Sequence, residues 1–421
     1  MPDASPTLGG LLHVVFLERE GGAPDATSSD HLGEAAFIVL RLVDLLATDR
    51  GAPSRDQVFR FQAAATERFC REEIEPGVET NYLIELVRST SAAHQRRDVG
   101  LAAPAMLAYA AYLEDAARYE EALDVVHTLE RAAGSRLPVD QAVAAALRMG
   151  RVNRKIARFD DADAAYERAA ALAAVAGDRH AELLSRLGRA NVCWGRGNLA
   201  EAERWNREVL EDARAAGERD AEARAEHQLG TVLGARGQPL DALPHFWRSF
   251  ELYQDESLSL LALHDLGFEL ARLGAVEDAE RAFRHVVQAT HNQGALQDAM
   301  IELLHCASFR RDRIGFTRWR ALCETELTRM APNTLADYQL KLGIGLARFG
   351  RFDRAASEIE QALETARAHG LHEFEFRIDR IRTGLRTCEA LESAEHDADV
   401  EPVAQAAVLE EVSAALATLR G

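Results

Sequence analysis

The stretch GFELARLGAVEDAERAFRHV, residues 267–286, decides the architecture. Gly267 stands in an apolar run, a turn carrying Gly274 follows, and Ala279 opens a second run twelve positions after Gly267. Beyond Ala279, Phe283 and Val286 fall four and seven residues on, which places them on one face of a helix. A helix pair of this kind buries its apolar stripe only against neighbours, so further copies should flank it.

They do. The same pair of small residues recurs as Gly150 with Ala162, Gly230 with Ala242 and Gly343 with Ala355, bridged by the turns ARFDDA (157–162), ARGQPLDA (235–242) and RFGRFDRA (348–355). Gly230 and Gly267 are 37 residues apart. Gly267 and Gly343 are 76 apart, two units of 38, which implies an intervening unit centred on His305 and Thr317 that has lost both small residues. An earlier copy fits Ala110 with Ala122. Another lies in GRANVCWGRGNLAEA (188–202), where either Ala190 is the first mark or the turn after Gly188 holds two extra residues. A recurring period of this length signals a helical array.

These residues resemble the tetratricopeptide repeat, in the long-repeat form of bacterial members, over about residues 101–371 and seven units. The resemblance implies an all-α fold, a right-handed α-solenoid of stacked antiparallel helix pairs with helical end caps. It also implies that the first helix of each unit lines a concave groove where peptides or partner helices dock.

Composition agrees with an array. A chain of 421 residues exceeds the usual single-core limit, and 47% hydrophobic residues with only 6% aromatics suit close helix contacts through small side chains. The net charge of −19 argues against nucleic acid or an anionic membrane as partner. Five cysteines, Cys70, Cys193, Cys306, Cys323 and Cys388, lack any C-x-x-C pair and read as buried thiols. With no basic leader and no apolar run long enough for a bilayer, a cytoplasmic location is expected.

Outside the array, residues 1–30 read as a flexible segment and 31–100 as an N-terminal helical region, a degenerate repeat or a cap. Residues 372–421 read as C-terminal helices forming a cap. They include the acidic linker ALESAEHDADVEP and a last helix after Pro402 with Val408, Val412 and Leu416 on one face. A detachable or dimerising helix is the alternative.

No phosphate loop, dinucleotide fingerprint, H-E-x-x-H helix or G-x-S-x-G turn is present, so no catalytic residue, cofactor or metal is assigned. Three sets of residues on first helices are candidates for a partner-binding groove. Arg148, Arg151 and Lys155, near Asn153, offer donors for carboxylates; the plainer reading of the same face is solvated arginines paired with Asp160, Asp161 and Asp163. His227, His264 and Glu302 form a ladder 37 and 38 residues apart, suited to polar contacts with a peptide and, less naturally, to zinc. Phe268, Phe309 and Arg310, with Arg272 and Arg348, make an aromatic and basic strip; Arg272 and Arg348 also suit helix C-termini. The expected function is a non-enzymatic scaffold that binds a peptide, tail or helix of a partner protein. The alternatives are a peptide-responsive regulatory sensor and a metal-dependent enzyme. The unit at His305 and Thr317, where the small-residue rule fails, is where packing should change and a binding feature should sit.

Overall fold

The computed structural model describes residues 12–17, 27–46, 53–392 and 407–419. Most of the segment 1–30, and the acidic linker with Pro402, lie outside them. Among the described residues the chain is all-α, with nineteen α-helices and no strand. It forms two compact units, Met1–Trp205 and Asn206–Gly421.

The first unit contains α1 (Thr27–Asp44), α2 (Pro53–Glu72), α3 (Val78–Arg96), α4 (Ala103–Asp115), α5 (Tyr119–Ala133), α6 (Val139–Lys155), α7 (Phe159–Ala176), α8 (Arg179–Gly195) and the start of α9 (Leu199–Ala216). Helices α1, α2 and α3 pack on one another, and α1 also lies on α5. A single turn, Val14–Phe16, docks against α1 and α5 with Phe16 fully buried. The adjoining His13, also buried, hydrogen-bonds Asp44 at 2.9 Å and Asp124 on α5, which ties the segment down.

The second unit contains α10 (Arg219–Ala235), α11 (Pro239–Leu252), α12 (Glu256–Arg272), α13 (Val276–Ala289), α14 (Gln293–Phe309), α15 (Arg313–Glu324), α16 (Pro332–Arg348), α17 (Phe352–Ala368), α18 (His372–Glu392) and α19 (Ala407–Leu416). Helix α18 packs on α17 and α16. The last helix, expected as an end cap, lies on the flank of the unit against α11 and α13, with Val412 and Leu416 buried there.

One turn geometry explains the regular pairing. In every pair from α4/α5 to α16/α17, three residues separate the two helices, and the second of them has positive φ: Ala117, Ala157, Gly197, Gly237, Gly274, Arg311 and Gly350. The residue after it donates back five positions, as in Gln238 N–H to Leu233 O at 3.0 Å and Arg351 N–H to Leu346 O at 2.9 Å. This closes the spare carbonyls of the first helix and reverses the chain sharply.

The fixed turn also fixes the register. The first small mark always lies five residues before the end of its helix and the second three residues after the start of the next. Ala190 is therefore the mark in α8, and that turn holds no extra residues. Gly188 is small for another reason: the Tyr166 ring lies between α6 and α8, and a Cβ on Gly188 or Gly150 would meet it at 2.3 or 2.7 Å. Elsewhere the first mark takes a large residue of the second helix, Phe246 over Gly230, Phe283 over Gly267 and Ile359 over Gly343.

The irregular unit is corrected by one position. Its marks are Leu304 and Phe316, not His305 and Thr317. With bulk at both marks, the misfit passes to the next helix, where Gly345 makes room for Phe316; a Cβ there would lie 2.3 Å from the ring. Helix α15 is short, 12 residues, and touches α16 only slightly, so α16 packs directly on α14.

Candidate functional site

The corrected register reassigns the residues that line the first helices of the second unit. His227 and His264 share a position, but the next rung of that ladder is Ile301. Glu302 belongs one position over, with Gln228, Asp265 and Lys341, spaced 37, 37 and 39 residues. The three ladder residues consequently do not converge. His227 donates from Nε2 to Asp265 at 2.8 Å and accepts at Nδ1 from the Tyr253 hydroxyl at 3.4 Å. His264 approaches the same carboxylate at 3.5 Å. Although burial works against its charge, the bonds from both histidines hold Asp265 down to about 2. Glu302 instead accepts from Lys341 Nζ at 2.6 Å, and Lys341 also donates to Asp337 at 2.6 Å. Burial disfavours the ammonium, but the two carboxylates outweigh it and raise its pKa. Among the described residues no group of three or more histidine, cysteine or acidic side chains is placed to hold a metal ion.

Arg148, Arg151 and Lys155 do come together, in the first unit, on a partner other than the aspartates expected. All three grip Glu114 at the end of α4: Arg148 closely, Arg151 at 3.1 Å and Lys155 at 3.0 Å. Glu114 is 3% exposed. Burial would raise its pKa, and the surrounding cations reverse that and lower it. Asp160 and Asp163 instead pair forward, Asp160 with Arg196 just after α8 and Asp163 with Arg189 of α8.

The aromatic strip is split. Arg310 turns to α13, where it meets Glu280 at 2.9 Å and Glu277 at 3.5 Å. Phe268 and Phe309, 38% and 43% exposed, line a cavity of about 170 Å³ on the second unit, together with Glu302, His305, Lys341 and Arg377. The rung after each first mark supplies Phe268 and His305, and the last residue of α14 supplies Phe309. Arg377 reaches in from α18 and lies 3.7 Å from Asp337.

His305 is the least satisfied member. Its Nδ1 is buried without a hydrogen-bond partner. Burial, then Arg348, Lys341 and Arg377, push its pKa well below 6.5, so the ring is neutral at neutral pH. Cys306 beside it is buried, and its thiol is pushed up to about 12, which keeps it protonated and a poor nucleophile. The cavity therefore offers two aromatic faces, an idle ring nitrogen and a set of cations. It can hold an apolar side chain and bond a polar group beside it. Sequence reasoning missed His305 as a lining residue, and Lys341 and Arg377 altogether; Lys341 carried a signal, being one of only two lysines in the chain.

Among solved structures the chain is similar to the Rap conjugation gene regulator of plasmid pLS20 in complex with the Phr* peptide. That likeness is 11% identity, with 79% of this chain and 97% of that one covered, at a TM-score of 0.50. The apo form of the quorum sensor NprR from B. thuringiensis is 12% identical over 73% of this chain and 94% of that one, at 0.49. Aspartyl phosphate phosphatase F from Bacillus subtilis is 10% identical over 82% and 94%, at 0.48. At such identities the likeness is one of fold alone. No curated protein matches the chain. A family model described as tetratricopeptide repeat matches residues 183–255. The turn and marks of that matched stretch recur on both sides of it, from α4 to α17.

Proposed function

We propose that this protein is a non-enzymatic scaffold that binds a peptide or tail of a partner protein in the second unit, at the cavity between Phe268 and Phe309. The observation that carries the reading is the pairing of two exposed aromatic faces with the buried, unpartnered His305 Nδ1. Exposed aromatic faces around a recess are ready to bury area, and a buried polar atom without a partner is satisfied when a ligand supplies one. The Rap regulator of similar fold is named in complex with a peptide, and a peptide is the ligand we propose here.

A sensor reading is favoured by one feature. Arg377 enters the cavity from α18, beyond the last repeat, so an occupant would bear on that helix directly.

Peptides selected from a random display library against the full chain, then measured by fluorescence polarisation, test the reading. The double variant F268A/F309A should bind them at least about tenfold more weakly, while R151Q/K155Q should bind them as the parent does. Peptides held equally by F268A/F309A would break the assignment.

A further inference from the structure

Helices α18 and α19 follow one another in sequence but pack on different parts of the second unit, α18 on α16 and α17, α19 on α11 and α13. Helix α18 runs antiparallel to α17: Glu375 near its start lies 3.8 Å from Arg367 near the end of α17, and Arg382 meets Glu360 at mid-helix. Its last residue, Glu392, therefore leaves at the edge where the α14/α15 and α16/α17 turns lie. Helix α19 is anchored at the same edge, where Ser413 donates to Asp278, the third residue of α13. Residues 393–406 join the two helices and reach about 50 Å at most. To return to α11 and α13 they have to pass the pairs α14/α15 and α16/α17.

That edge is basic in a chain whose net charge is −19. RRDRIGFTRWR (310–320) and RFGRFDR (348–354) carry eight arginines between them against Asp312 and Asp353. The two stretches meet around a cavity of about 180 Å³, lined by Arg313, Thr317 and Arg320 of α15 and by Arg351 just before α17, with Phe316 and Phe349 in its wall. It shares no lining residue with the recess of Phe268 and Phe309. Arg320 is paired, with Glu324 at 2.8 Å. Arg313 and Arg351 are exposed, and among the described residues neither has a carboxylate partner. Arg313 lies over the Phe349 ring, 5.8 Å from its centroid. Asp312 is engaged as the cap of α15, accepting from the N–H groups of Ile314 and Gly315 at 3.1 and 3.0 Å.

We infer that the acidic segment 392–401 of this chain crosses this edge with its carboxylates on Arg313 and Arg351. The segment, ESAEHDADVE, holds five acids and no lysine or arginine. Both its ends are fixed, one on α18 and the other on α19, so it meets the arginines at an effective concentration on the order of millimolar. Single exposed ion pairs are weak, but several guanidinium–carboxylate pairs on one tethered segment act together, and salt screens them. An acidic segment of another molecule fits the same chemistry, yet it would have to displace one already in place. The inference is independent of the peptide-binding reading.

A labelled synthetic peptide of residues 390–403, followed by fluorescence anisotropy at low salt, tests it. The full chain is compared with E395Q/D397N/D399N/E401Q, whose segment keeps its length and loses its charge. The peptide should bind the neutralised chain at least about tenfold more tightly than the parent, whose own segment competes. Adding R313Q/R351Q to the neutralised chain, or raising the salt, should abolish that gain. R60Q/R71Q, which removes as much charge from exposed arginines of α2, should leave it intact. If the quadruple variant with R313Q/R351Q does not fold, R351Q alone should lose part of the gain. Equal binding to parent and neutralised chains, binding to neither, or full retention without Arg313 and Arg351 would overturn the inference. A parent that sediments as a dimer and becomes monomeric on neutralisation would put the segment on a second copy, and would overturn it as well.

Discussion

The two units treat buried charge in opposite ways. In the first, three cations surround Glu114 and each has that acid to answer to. In the second, Lys341 is doubly paired, but among the described residues Arg348 has no acid and His305 has an idle nitrogen. A cluster of basic residues is therefore a poor guide to a binding site. The informative feature is the half-buried arginine left without an acid among the described residues, Arg348, three residues from the glycine that accommodates the irregular unit.

Removing the acid and removing the idle base should have unequal effects. E114Q leaves the cations around a neutral group and should destabilise the chain by about 3 kcal/mol in chemical denaturation. R348M keeps the packing on Phe309 and deletes an unmatched buried charge, so it should leave stability within about 0.5 kcal/mol of the parent or raise it. Comparable losses in both variants would erase the contrast.

A smaller effect probes the fit that the irregular unit requires. G345A forces a methyl into the Phe316 ring and should cost about 2 kcal/mol, and F316L in the same chain should recover most of it. An additive double variant would mean that Gly345 and Phe316 are not the coupled pair described.

The smallest effect separates the units by pH. Burial opposes the charge on His13, but hydrogen bonds to Asp124 and Asp44 outweigh it and raise its pKa. Its contribution is fully present below about pH 6.5, the unfolded value, and is lost as pH rises through the higher folded value. His305 is shifted the other way, by burial and by Arg348, Lys341 and Arg377. Acidification below pH 6.5 therefore withdraws stability around α14, because the unfolded ring takes a proton that the folded ring resists. From pH 8 to pH 5.5, hydrogen-exchange protection, taken relative to the intrinsic rate at each pH, should rise in α1 and α5 and fall in α14. H13Q and H305Q should each abolish one of these trends.

Much of the fold was legible because its rule is local. A small residue, a three-residue turn and a second small residue twelve positions on can be counted along the chain, and they locate the helix pairs wherever the marks are small. The count slipped by one at Leu304 and Phe316 because the compensation, Gly345, lies in the next unit. That slip put Glu302 in the histidine ladder when it belongs with Asp265 and Lys341. The candidate cavity was half legible: Phe268, Phe309 and Glu302 were singled out, but Arg377 comes from a helix beyond the array, and no repeat spacing points to it. Arg148, Arg151 and Lys155 were found as a group, while Glu114, one unit upstream, was not seen as the reason for them. Side chains that answer one another across stacked helices lie about one repeat apart in sequence, a distance at which short-range pattern is silent.

The shared turn also bears on how such an array can be recombined. Since each pair turns on the same three-residue reversal between its own two helices, a pair that also fills its own small marks could be duplicated or excised with little injury to what remains. The pair α6/α7 is one exception, since its Tyr166 needs Gly188 of α8, and the pair α14/α15 is another. Its Phe316 needs the glycine of α16, so these two units must be inherited, transplanted or lost together, and the cavity with them.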